Sequence, residues 1–182
     1  MKIKFTLFYI LYNIFLTTQS HAATKAEFEN QQVKIRIATN APQPISAFYE
    51  GRNFQKNMID ILKQQCFVSV SVKNKSNHFI WLDLSQWQFS NTDGKINRLD
   101  RHYWKAKWQE MKIPLAHQST FRWTLLPEVL DFHPNEREGG NILLPRLGKP
   151  FNISARFYTG KDKKGKPIDL NFNNITCATD KP

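Results

Sequence analysis

The run Glu128-Val129-Leu130-Asp131-Phe132-His133, followed by Glu136 and Glu138, holds the side chains best suited to gripping a cation. In an extended strand Asp131 and His133 project from one face. The two glutamates are near enough in sequence to complete a nitrogen-and-oxygen ligand set for a divalent ion. A closed zinc site would want a second histidine or a cysteine at tight spacing, and none is present locally. Glu136-Arg137-Glu138 also reads as local ion pairing on a solvated loop. A metal site is therefore not favoured; Asp131, His133, Glu136 and Glu138 are its only candidates, and no cofactor is expected.

A second constellation interleaves cations with aromatics: Arg98, Arg101, His102, Tyr103, Trp104, Lys105, Lys107 and Trp108. Such a face can stack on planar groups while neutralising anions. The candidate binding face is Arg98, Arg101, Tyr103, Trp104, Lys105, Lys107 and Trp108. The same residues also fit a helix whose tryptophans are core and whose lysines snorkel to water. Trp104, Trp108 and Met111 recur at i, i+4 and i+7, the spacing that the core reading needs. Hydrolytic chemistry finds little footing. Gly-x-Ser-x-Gly, His-Glu-x-x-His and a phosphate-cradling glycine loop are all missing, so no catalytic residue is assigned.

The chain's ends and charge say where such a surface would work. Lys2 and Lys4 precede an apolar block from Phe5 to Leu16, and Ser20-His21-Ala22 offers a small-x-small cleavage site. The block is roughly 12 residues, short of the ~20 needed to span a bilayer. Residues 1–22 are expected to be a cleaved export signal, and residues 23–182 a single domain without a transmembrane segment. The whole chain carries 26 Lys and Arg against 15 Asp and Glu, a net +11. Loss of Lys2 and Lys4 with the signal leaves 24 against 15, or +9. That excess favours an acidic protein or an anionic envelope polymer as partner, and export argues against nucleic acid.

Two cysteines in an exported chain permit one internal pairing, Cys66 with Cys177. Closing a loop of about 110 residues is worth on the order of 4–5 kcal/mol by chain entropy.

Strands must position these groups. Cys66, Val68, Val70 and Val72 fall on one face of an extended segment and Phe67, Ser69 and Ser71 on the other, which predicts a central strand. Val33, Ile35 and Ile37 alternate in the same way, before Pro42 and Pro44 break the pattern. Asn53 is placed to cap a helix from about 54 to 65. Residues 79–84 predict a strand covered on both faces, and Asp93-Gly94 a hairpin turn. Asp100 would cap a short amphipathic helix over 100–112. Residues 120–126 alternate like a strand. Residues 127–150, rich in proline with Gly139-Gly140, read as a long irregular connection with one short segment at 142–144. Phe151 to Tyr158 alternates, and a basic turn over 161–166 leads to the strand around Ile168, Leu170 and Phe172, then to Cys177.

Seven or so short strands without a βαβ rhythm predict a mainly β fold. The pattern resembles, in architecture alone, an antiparallel immunoglobulin-like β-sandwich with one or two short inserted helices. The expected protein is secreted or periplasmic: a non-enzymatic module binding an acidic protein or anionic envelope component. Alternatives are a metal-dependent hydrolase using residues 128–138 and a structural subunit of an envelope assembly.

Overall fold

A computed structural model describes residues 24–180. The chain opens with β1 (Lys25–Glu29) and β2 (Val33–Asn40), then α1 (Pro42–Glu50) and α2 (Lys56–Leu62). Next come β3 (Gln65–Asn74), β4 (Ile80–Asp83), a 3₁₀ turn at Leu84–Gln86, β5 (Gln88–Asn91) and β6 (Gly94–Ile96). Two more helices follow, α3 (Arg101–Glu110) and α4 (Leu115–Thr124). The chain finishes with β7 (Val129–Phe132), β8 (Arg137–Pro145), β9 (Phe151–Thr159) and β10 (Ile168–Ile175).

The strands form two antiparallel sheets. The first runs β1-β2-β3-β8. In the second, β9 is the hub: β10 lies on one side, and β4 and β5 lie end to end on the other. Outside these, β7 pairs with β4 and β6 with β5. The valine-rich segment is central as its alternation predicts, hydrogen-bonded between β2 and β8. Its Cys66, Val68, Val70 and Val72 join Ile35, Ile142 and Leu144 of the first sheet and Leu82, Phe89, Ile153 and Phe157 of the second in one core. Cys66 and Cys177 are bonded, tying the start of β3 to the chain just after β10, 111 residues later.

A second core covers the other side of the first sheet. Phe67 of β3 and Leu143 of β8 point outward there, against Ile45, Tyr49, Met58, Leu62, Trp104, Trp108 and Phe121 of the helices. Among the described residues the protein is thus mainly β, with four α-helices rather than one or two, arranged as helices, sheet, sheet.

Several local expectations are corrected. Pro42 and Pro44 end the β2 alternation as expected, but they also open α1, a helix not expected there, because a helix's first turn needs no N–H from them. Asn53 does not cap: it takes a left-handed φ of 58° in the turn between α1 and α2, and α2 begins at Lys56. Residues 115–124 are helical, not a strand. Phe121 turns in against Trp104 and Trp108 at 5.2 and 5.3 Å between ring centres, while Trp123 is left 81% exposed.

The segment 127–150 is not an irregular loop, since it carries β7 and the nine-residue β8. The two glycines of β8, Gly139 and Gly140, mark close backbone approach within a strand. A Cβ on Gly139 would lie 2.7 Å from the Val70 carbonyl oxygen, and one on Gly140 2.4 Å from the Leu126 nitrogen. The end of α4 crosses β8 there, with Leu126 N–H donating to the Asn141 carbonyl at 3.0 Å.

Candidate functional site

The cation–aromatic segment is built from β6 outward. The Leu99 N–H donates to the Leu143 carbonyl at 2.9 Å, pinning the chain to β8 just before α3. Asp100 caps the helix as predicted, its carboxylate accepting the Tyr103 N–H at 2.9 Å. Trp104 and Trp108 stack at 4.9 Å and are each 1% exposed. Their i, i+4 spacing serves the core, so both leave the candidate binding face.

The cations sort by partner. Arg98 forms a bidentate pair with Glu128, at 2.7 and 3.3 Å. Arg101 reaches back to the Leu125 carbonyl at 3.5 Å. Lys107 holds Glu110 at 3.1 Å. Lys105 forms no ion pair among the described residues, and the same is true of Lys112 and Arg122. Tyr103 (43%) on α3 and Leu115 (79%) and Trp123 on α4 are exposed on the same two helices. Asp100 is occupied by the cap, and Glu110 and Glu128 by their cations. The two helices therefore present positive charge with aromatic rings.

Sequence reasoning missed Lys112, Arg122 and Trp123. Reading 120–126 as a strand put Phe121 and Trp123 on one face, whereas helical rotation separates them. The available signal was Ile113-Pro114: a proline that ends one helix also starts the next, and Pro114 precedes α4 at its N-cap.

The acidic candidates do not converge. Asp131 and His133 approach to 3.9 Å at the end of β7, and the Glu136 carboxylate accepts the His133 backbone N–H at 2.7 Å. The His133 ring packs edge-on against Phe79 at 4.6 Å. Glu138 lies on β8 opposite Val72. Among the described residues, no three or more His, Cys, Asp or Glu side chains come together as a metal site.

Clear pKa shifts follow ion pairing elsewhere. Hydrogen bonds from Lys34 and Lys75 hold the Glu29 carboxyl down at about 2. Glu27 is lowered by Lys34 and Arg36, Asp60 by Lys56 and Lys63, and Asp169 by Arg156. The basic turn after β9 is an exposed hairpin tip, with Asp162 and Lys163 at left-handed φ.

The expected export signal lies outside the described residues, and no helix among those described is long and apolar enough to cross a membrane. No protein-family model matches the chain. No curated protein matches it in sequence. Among solved structures it is similar to a Bacillus subtilis protein described as a "putative lipoprotein (ycdA)", at 13% identity and a TM-score of 0.42. That similarity covers 83% of this chain and 39% of the other protein, so this chain spans about two fifths of the length of its structural neighbour.

Proposed function

We propose that the protein is an exported, non-enzymatic binding module whose helical face engages an acidic protein or an anionic envelope component. The observation that carries this is the uneven pairing of charge on α3 and α4. Their acids are occupied by a cap or a cation, while Lys105, Lys112 and Arg122 form no ion pair among the described residues, and Tyr103 and Trp123 are exposed on the same two helices. Unpaired surface cations attract anions over a Debye length of about 8–10 Å at physiological salt, and the rings add contact area once the partner docks.

Export is supported by the Lys-led apolar N-terminus and by the Cys66–Cys177 bond, which belongs to oxidising compartments. The scaffold reading is an immunoglobulin-like sandwich. Strands β2-β3-β8 follow the A-B-E order of that fold, and β4/β5-β9-β10 follow its C-F-G order. The disulfide departs from the B–F bridge of antibody domains by tethering β3 to the tail beyond β10.

The test is sedimentation with poly-γ-glutamate-coated beads and with anionic vesicles across a salt series. Binding should weaken steadily as salt rises, and the triple variant Lys105→Glu/Lys112→Glu/Arg122→Glu should lose it, roughly tenfold or more. Binding unchanged by salt or by the variant overturns the reading.

A further inference from the structure

The outer surfaces of the two sheets are unlike. Helices cover that of the first sheet, whereas strand alternation on β9 and β10 leaves Asn152, Ser154, Arg156, Asp169 and Asn171 of the second facing solvent. This surface is not a plain polar sheet. β5 pairs with β9 at residues 152–154 and β4 pairs at 157–159, with the 3₁₀ turn at Leu84–Gln86 bulging out between them. On that side Ala155 and Arg156 have no partner strand among the described residues, and a groove of about 300 Å³ opens at the gap.

Its polar lining is Gln86, Gln88, Ser154, Arg156, Asp169 and Asn171. These groups are already oriented by one another. Ser154 Oγ lies 2.7 Å from the Asn171 amide oxygen, and Arg156 grips Asp169 through two bonds of 2.6 and 2.9 Å. The ion pair cancels its own charge, so the groove is electrically neutral in a molecule of net +11. It would not concentrate free anions as the helical face would. It also exposes no large apolar side chain to an acyl tail or an apolar peptide.

What remains is a concave array of amides and a hydroxyl that both give and accept hydrogen bonds, beside a guanidinium that only gives and a carboxylate that only accepts. That chemistry complements vicinal hydroxyl or acetamido groups. Tyr158, half-buried, is the next outward residue of β9 and sets an aromatic ring at the end of the row.

We propose that this groove is a saccharide subsite, taking a short neutral segment of a glycan through hydrogen bonds from β5, β9 and β10. The site is separate from the helical face and stands or falls independently of it.

The experiment is an NMR titration of the isotope-labelled full domain with chitotetraose and, separately, cellotetraose, each up to about 10 mM, the range in which single weak subsites bind. The expected result is saturable movement of the amides of residues 86–88, 154–156 and 169–171 with at least one sugar. The double variant Gln88→Ala/Asn171→Ala should weaken it about tenfold at unchanged melting temperature, through loss of polar partners. Ser154→Ala gives a second, smaller loss. The proposal is overturned if neither sugar moves those amides, if the shifts survive in the double variant, or if poly-γ-glutamate moves them and the sugars do not.

Discussion

Tyr49 is where one side chain reports on the whole helical layer. Its ring is fully buried against Phe54, Phe67 and Phe121, and its hydroxyl shares a 2.9 Å hydrogen bond with Thr124 of α4. Burial pushes the phenol up to about 12, because the phenolate would lose its hydration. An acid whose folded pKa is raised favours the unfolded chain once pH exceeds the unfolded value near 10. Stability should therefore fall between pH 10 and about 12, by roughly 2–3 kcal/mol from this group. Urea midpoints for wild type and Tyr49→Phe should converge as pH rises through that window; parallel curves would rule this out. At this scale the core of β3 was readable, since four residues at period two leave little choice of face. Tyr49 was not, because its partner Thr124 is 75 residues away and lay in a segment whose period pointed to a strand.

Among elements, β8 depends on its glycines as well as on its buried Ile142, Leu143 and Leu144. Gly140 lies where the end of α4 crosses the strand, and a methyl there would sit inside contact distance of the Leu125–Leu126 backbone. Gly140→Ala should cost about 2–4 kcal/mol, the range for forced backbone shifts in a packed interior, read as a lowered urea midpoint. A loss within experimental error would mean that the crossing relaxes freely. The same glycines hid the strand in the sequence, because Gly-Gly among prolines reads as a loop until a neighbour is known to pass close by. Proline hid α1 for a related reason: its effect depends on whether it falls first or later in a helix. Asp100 and α3, by contrast, were legible, as cap and spacing are local signals that no distant contact needs to complete.

For the whole molecule, the Cys66–Cys177 bond ties β3 of the first sheet to the chain beyond β10 of the second, within the core that both sheets share. Cys66→Ser, or reductant on the wild type, should remove about 2–5 kcal/mol. For a domain of this size that is a fall in melting temperature of roughly 5–15 °C. Equal melting curves with and without reductant would show that the bond carries no stability. The pairing was legible from the cysteine count and the expected export signal; the three-layer arrangement was not, since nothing local in Phe67 or Leu143 says that helices will roof them. The bond has one further outcome. It turns residues 66–177 into a closed ring that contains α3, α4 and every strand of the second sheet. A protease that nicks the chain between α3 and α4 would leave both fragments on one molecule for as long as the bond stays oxidised. Such a nick would show on a denaturing gel only after thiol treatment.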